Sequence, residues 1–438
     1  MASKENFIGI RVEDKYLMER RVAITPEHLQ KLTDENSNLK FVVEPSEKRI
    51  FSNKDFENAG AELNSDLSKC STIFGVKEMP NSFFQNDKTY VFFSHVIKGQ
   101  EYNMPSLKVM MNKKINLIDY EKIENKEGQR LIFFGKYAGL AGMINSFWAL
   151  GIRLKSFGID TPFLKIKQSH KYKSLEEAKI AIKAVGDEIK THGLNKDLAP
   201  FVTGFTGYGN VSNGAQEIYD LLPSKEISVE QFLNNQFDTT NNTIVYKVIF
   251  KEKDLSKRID GTNFELNDYY NNPKLYESKF EQYLPKLSVL MNCMYWSEEY
   301  PTIVTKEYLK NNYKTNDSKL TIIGDITCDI NGSIECTEIG TLIEDPIFIY
   351  NHKNDTFKSG HEGDGIQIMS VDILPSELPK DASETFSSTL LPFIKNIANT
   401  NYDTTFEQLE LKFEIKKALI LHKGKLTPDY EYLNEYLK

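Results

Sequence analysis

Gly75-Val76-Lys77-Glu78-Met79-Pro80 and, after a polar gap, Val91-Phe92-Phe93-Ser94-His95-Val96-Ile97-Lys98-Gly99-Gln100 decide how the chain is read. Each stretch closes a short apolar run, 71–76 and 90–93, with the length and composition of a buried strand. Each run ends on ionisable residues: Lys77 and Glu78 after the first, Ser94 and His95 after the second. If the two strands are parallel neighbours, these side chains share the carboxyl edge of one sheet, where open α/β sheets hold ligands. A lysine and a histidine placed there can share proton transfers near neutral pH. The plainer reading of the same pair is a surface contact that stabilises the fold.

The same alternation extends outward in both directions. Residues 7–12 read as a strand, followed by Glu19-Arg20-Arg21 and then by Thr25-Pro26, the N-cap and first position of a helix. Arg20 and Arg21 therefore stand between a strand and a helix. One is expected to be solvated loop charge and the other a clamp for a carboxylate. Residues 39–43 form a strand, and 109–111 with 115–119 add another, which delivers Tyr120 and Glu121 to its end. Gly128-Gln129-Arg130 is a turn. Strands that alternate with helical stretches imply a mostly parallel sheet covered on both faces.

Residues 135–143 open a long apolar helix running to 154, whose small residues at 138, 139, 141 and 142 permit close packing. Ser174 with Glu177 starts a helix over 175–191. In 200–216 a strand enters the turn Gly207-Tyr208-Gly209-Asn210 and leaves as a helix over 215–222. Glycines there let the backbone approach a pyrophosphate at a helix N-terminus. The spacing, with Gly214 five residues beyond Gly209, is not the GxGxxG fingerprint, and such turns also occur with no nucleotide. Residues 244–250 read as the second strand of this domain, followed by Lys251-Glu252-Lys253. Two lysines at that point suit a 2′-phosphate, which favours NADPH over NADH. Further strands cover 287–295, 320–329 and 366–371. Asp325 and Asp329 end the second of these, and with no histidine nearby a metal site is not expected. Residues 351–365 read as a mobile surface loop, and 405–421 as an amphipathic helix.

The chain has 438 residues, 40% hydrophobic and 26% charged, which suits two domains of an ordinary globular protein. A net charge of −8 argues against a nucleic-acid binder, and no apolar run has the length to cross a membrane. Four scattered cysteines do not suggest a zinc site or a disulfide framework. The start runs into the first strand without room for a leader, so a cytoplasmic location is the default. A mitochondrial matrix protein with its presequence removed would look the same.

Ten segments in order carry a family likeness: 19–26, 75–80, 92–100, 117–121, 135–142, 204–217, 292–296, 324–335, 372–384 and 425–432. With them the chain resembles lysine–ketoglutarate reductase, the saccharopine-forming dehydrogenase (L-lysine-forming) that is also the N-terminal half of alpha-aminoadipic semialdehyde synthase. The resemblance implies an alanine dehydrogenase/transhydrogenase-like α/β protein. It would have two Rossmann-like domains with parallel sheets, the second inserted in the first. Residues 1–135 with 370–438 would form the substrate domain, and 136–369 the dinucleotide-binding domain.

The resemblance also implies a reaction, the reductive condensation of L-lysine with 2-oxoglutarate by NADPH to give saccharopine. Lys77 and His95 would be the acid–base pair, and Arg21 and Arg130 would hold substrate carboxylates. Glu78 and Glu121 would be acidic partners of Lys77 and the substrate amine, and Lys98 and Gln100 further substrate contacts. The cofactor would meet Gly207, Gly209, Asn210 and Gly214, with Lys251 at the 2′-phosphate and Asp329 near the nicotinamide. The residue types suit this chemistry. Joining an amine to a ketone with loss of water needs one group to take protons and another to give them, and three substrate carboxylates call for arginines. Because the chain stops soon after Lys425-Leu426-Thr427-Pro428, a separate saccharopine dehydrogenase is expected to take the next step. Two alternatives stand beside this one: an NAD-dependent enzyme running towards lysine, and a nucleotide-binding regulatory protein with a dead site.

Overall fold

The computed structural model describes residues 5–313 and 318–437. Residues 1–4, read above as leading into the first strand, lie outside them. The chain forms two compact units, Met1–Phe134 with Pro379–Lys438, and Gly135–Leu378, so the second is inserted in the first. Residues 370–378, assigned above to the first domain, fold with the second. The turn Leu374–Glu377 is bound there by Asn145, whose Nδ2 donates to Glu377 Oε1 at 2.7 Å.

In the first unit, β1 (Asn6–Ile10), β2 (Leu39–Val43), β3 (Glu62–Leu63), β4 (Thr72–Phe74), β5 (Thr89–Phe92) and β6 (Asn116–Asp119) lie in the order β3-β2-β1-β4-β5-β6, all parallel. The described residues of β4, β5 and β6 are buried throughout, as a sheet covered on both faces requires. Helix α1 (Pro26–Glu35) starts where the sequence places it, with Thr25 Oγ1 accepting from the His28 amide. Helix α2 (Asn53–Asn58) is closed by a capping box at Ser52.

Two stretches differ from expectation here. Residues 109–111 belong to helix α3 (Met104–Asn112), because Met104, Leu107 and Met110 recur at helical spacing on one buried face. In 405–421 only Phe413–Lys417 is helical, and Leu419–His422 pairs antiparallel with β6 to extend the sheet. The helix Pro379–Asn399 completes the unit. Ser383 Oγ and Ser387 Oγ accept from the Val22 and Thr25 amides, each at 3.0 Å, and the Phe386 ring stacks on Phe134 with centroids 4.6 Å apart.

The second unit opens on α4 (Gly135–Ser156), followed by α5 (Leu175–His192), β7 (Phe201–Thr206) and α6 (Asn210–Tyr219). Then come β8 (Ser224–Glu226), β9 (Val245–Phe250), the small antiparallel pair β10 (Ser256–Arg258) and β11 (Tyr276–Ser278), β12 (Val289–Asn292), β13 (Ile322–Asp325), β14 (Ile347–Asn351), β15 (Thr356–Ser359) and β16 (Ile366–Met369). The large sheet runs β8-β9-β7-β12-β13-β16 in parallel, with β14 and β15 antiparallel at its edge. Helix α6 begins five residues before the expected start at 215. A Cβ at Gly139 would lie 1.9 Å from Val211 O, and one at Gly214 would lie 2.1 Å from Lys136 O. The backbones of α4 and α6 therefore touch, and only glycine fits at the crossing. Residues 351–365 are not a free loop. Asn351 and 356–359 belong to the β14–β15 hairpin, and the buried Arg153 donates to the carbonyls of His361 (2.7 Å), Gly363 (3.0 Å) and Gly365 (2.6 Å). Among the described residues no helix is long and apolar enough to cross a membrane.

Candidate active site

In the first unit the strand order reverses between β1 and β4, and ligands of open α/β sheets gather at such a reversal. The loop after β1 brings Glu13, Lys15, Glu19 and Arg21. The loop after β4 brings Lys77 and Glu78, the loop after β5 brings His95, and the turn after β6 brings Glu121. β4 and β5 are parallel neighbours, and the pairing continues past them, with Phe93 N donating to Val76 O at 3.1 Å.

His95 has a φ of 54°, a left-handed backbone that few residues with a side chain adopt. Its carbonyl accepts from Asn103 Nδ2 at 2.8 Å, and its ring lies nearly parallel to Phe93. Nδ1 is 2.6 Å from Glu78 Oε1, which also accepts from Lys15 Nζ at 2.7 Å. Burial alone would raise the Glu78 carboxyl, but His95 and Lys15 outweigh it and hold it at about 2. An ionised carboxylate beside Nδ1 draws a ring proton to that nitrogen. Glu78 thus pairs with His95 and Lys15. The Lys77 ammonium instead helps Arg21 hold the Glu19 carboxyl below its ordinary value.

Lys77 is held through its backbone. Glu13 Oε2 accepts from the Lys77 amide at 2.8 Å, and Oε1 from Val76 at 2.6 Å. The Lys77 ammonium lies 5.9 Å from the centre of the Tyr16 ring. Arg21 is buried and forks onto Glu19, Nε to Oε1 at 2.8 Å and Nη2 to Oε2 at 2.5 Å. Burial pushes Glu19 up, but that fork keeps its carboxyl below the ordinary range. Arg20, by contrast, donates through Nε to Lys48 O.

An aromatic floor gathers the remaining groups. Arg21 lies 4.2 Å over Phe134, Arg130 lies 5.3 Å over Phe93, and Phe93 and Phe134 are 6.1 Å apart. Arg130 Nη1 is 3.9 Å from Glu121 Oε1. Buried Asp119 accepts from the Ser94 amide and hydroxyl and from the Glu121 amide, locking the β5 and β6 loops together. Lys98 and Gln100 are exposed on the β5 loop, where Gln100 Oε1 accepts from Tyr102. Sequence pattern alone does not single out Glu13, Lys15, Glu19 or the Ser94–Asp119 clamp. A signal for the first two is their place: Glu13 and Lys15 follow β1 as Lys77 and Glu78 follow β4, at the same sheet edge.

In the second unit the reversal falls between β7 and β12. A cavity of ≈ 280 Å³ opens there, lined by Gly207, Tyr208, Gly209, Glu252, Cys293 and Met294 among others. Gly207 has a φ of 77°, which favours glycine, and a Cβ at Gly209 would meet nothing within 4 Å. Gly209 is the N-cap of α6 and has no side chain to spend on the first amides, which suits a pyrophosphate. Asn210 opens the helix, while Gly214 sits deeper, against α4. Lys251 follows β9 and is exposed, its Nζ 5.7 Å from the centre of the Tyr208 ring. Glu252 accepts from Tyr270 Oη at 2.6 Å and Tyr208 Oη at 3.3 Å. Asp329 is exposed in the turn after β13. Beneath them Asn292 ties three strand ends, accepting from Thr206 Oγ1 at 2.8 Å and donating to Asp325 Oδ1 at 2.9 Å.

Residues 9–141 match the alanine dehydrogenase/PNT N-terminal domain and residues 217–429 its C-terminal domain. The chain is 38% identical to an alpha-aminoadipic semialdehyde synthase of Arabidopsis thaliana over 97% of its own length but 41% of that protein, so it spans less than half of that relative. It is 26% identical to a saccharopine dehydrogenase [NAD(+), L-lysine-forming] of Candida albicans, over 94% of this chain and 98% of the other. Among solved structures, an L-alanine dehydrogenase superposes with a TM-score of 0.58 at 17% identity, covering 99% of this chain and 100% of that one, which is a likeness of fold.

Proposed function

This chain belongs to the alanine dehydrogenase/PNT family, and we propose that it is an oxidoreductase that condenses L-lysine with 2-oxoglutarate and reduces the product to saccharopine. The observation that carries the reading is the sheet edge where Glu78 fixes the His95 ring and the adjacent Lys77 is anchored by Glu13. In the proposed reaction the lysine ε-amine adds to the keto carbon, and the carbinolamine loses water to give an imine. Lys77 takes the proton released by the amine. His95 Nε2 gives a proton to the departing hydroxyl, with Glu78 stabilising the protonated ring. Arg21 and Arg130 hold substrate carboxylates over the Phe93–Phe134 floor, with Glu121 near the amine and Lys98 and Gln100 at the rim. NADPH, when bound, supplies the hydride that reduces the imine carbon.

Gly207, Gly209 and the first turn of α6 at Asn210 would hold the pyrophosphate, with Asp329 on the nicotinamide side. Gly214 lies further along the same helix, where it packs against α4. Lys251 would meet the 2′-phosphate. A second reading rests on Glu252. Its carboxylate lines the same cavity and is the group that accepts a ribose diol in NAD-dependent folds, and the Candida albicans relative is named for NAD(+). The test mixes the protein with lysine, 2-oxoglutarate and either NADPH or NADH, and follows loss of the reduced coenzyme. Oxidation that needs both substrates supports the proposal, and preference for NADH moves it to the second reading. No oxidation with either removes it.

A further inference from the structure

We infer that Glu13 is a positioning residue for this reaction: its ionised carboxylate grips the peptide that carries Lys77 and thereby sets where that side chain leaves the sheet edge. The inference rests on the reading of Lys77 as the proton acceptor. Glu13 follows β1 directly across from the loop leaving β4, at the reversal of strand order. The backbone ladder between these strands ends with Arg11 N donating to Phe74 O at 2.9 Å. Beyond that point the two carboxylate oxygens continue the ladder, one taking the Val76 amide and the other the Lys77 amide. Gly75 is part of the arrangement, since a Cβ there would lie 3.3 Å from Glu13 Oε1 and 2.7 Å from Met79 Cε. Only 5% of Glu13 is exposed, so water does not compete for the two amides.

The charge state of Glu13 decides whether the grip is complete. A carboxylate offers an acceptor to each amide. A protonated carboxyl keeps one strong acceptor in its carbonyl oxygen, and its hydroxyl oxygen is a weaker acceptor for the other amide. The groups facing Glu13 come from several elements. Arg11 and Glu19 flank it in the segment after β1, Arg49 approaches from before α2, and Tyr120 from the turn after β6. Burial and repulsion by Glu19 push its carboxyl up to about 7, against the two amides and Arg11. The grip is therefore partial near neutrality and complete above it. A lysine loosened by about 1 Å loses on the order of 10²-fold in rate.

Glu13→Gln tests this, since an amide side chain offers one acceptor where the carboxylate offers two. In Glu13→Gln the Val76 and Lys77 amides should exchange with solvent at least tenfold faster at pH 8. Turnover with lysine and 2-oxoglutarate should fall about 10²-fold at pH 8, with NADPH affinity unchanged. The deficit should shrink below pH 6, where the wild-type carboxyl is also protonated. Glu13→Asp keeps the charge on a shorter arm and should recover part of both losses, and it carries the same comparison if the Gln variant does not fold. Equal exchange of the two amides in wild type and variant overturns the inference, as does a rate deficit that is the same at pH 6 and pH 8. Lys77→Met separates the two claims. Normal turnover in that variant removes the parent reading, while faster amide exchange in Glu13→Gln would still support the grip.

Discussion

Glu78→Gln removes the one charge that Lys15 and His95 share. The carboxyl is held at about 2 against an ordinary value of 4.5. With an unfolded chain that titrates normally, this corresponds to about 3 kcal/mol. Solvent lowers this figure, because the Lys15 and His95 side chains keep 36% and 35% of their exposure, and about 1–2 kcal/mol is the working expectation. The sign follows from the direction of the shift. A depressed carboxyl contributes stability that is fully present above about 4.5 and is lost as pH falls through 4.5 towards 2. Wild type and variant should therefore differ most at pH 7 and converge as acid is added. At about 2 kcal/mol per molar urea, the variant's midpoint at pH 7 should lie about 0.5–1 M lower. Trp148 and Trp296 both belong to the second unit. The first unit is therefore followed by far-ultraviolet circular dichroism, with tryptophan emission as the internal control. Equal midpoints at pH 7, or a gap that stays constant down to pH 3, would refute the assignment of Glu78 as an ionised partner of two basic groups.

Other perturbations read other parts of the molecule. Gly139→Ala places a Cβ against backbone atoms of α6, Val211 O and Ala215 N. It should cost about 3 kcal/mol or more, seen as an early urea transition in tryptophan emission. Lys77→Met and His95→Ala should each lower turnover by about 10²–10⁴-fold while coenzyme titrations stay near wild type, and near-normal turnover in both would take them out of the acid–base roles. Lys251→Ala should raise KM for NADPH about tenfold and leave KM for NADH unchanged. Equal effects on both coenzymes would place Lys251 away from the 2′-phosphate.

Where local pattern and tertiary demand agree, the sequence is easy to read. The apolar runs before Lys77 and His95 are strands because buried parallel strands need nothing more than short apolar runs with polar ends. Thr25-Pro26 is a helix start because capping is a local matter. The misreadings lie where a distant element decides. Residues 109–111 carry no period of their own, and the helix shows only when Met104, Leu107 and Met110 are seen to share a buried face. Helix α6 begins ahead of Gly214, a residue that in sequence argues for a loop and is needed here because α4 presses against it. The Leu419–His422 run looked helical in its context, and the open edge of β6 made it a strand. At the site, Lys77, Glu78 and His95 were legible as strand ends. Their partners were not, since Glu13 and Lys15 lie more than sixty residues away in the chain. The Glu19–Arg21 pair, two residues apart, was within reach of the same reasoning but was read only for its arginine.

The proposed condensation of lysine with 2-oxoglutarate leaves an isotopic signature in its product. The direct measurement supplies lysine, 2-oxoglutarate and NADPH deuterated at the transferring position of the nicotinamide, and weighs the product. One new species is expected, with the mass of saccharopine plus a single deuterium, formed only when all three are present and absent in Lys77→Met. Unchanged lysine and 2-oxoglutarate, from folded protein that binds the coenzyme, would contradict it.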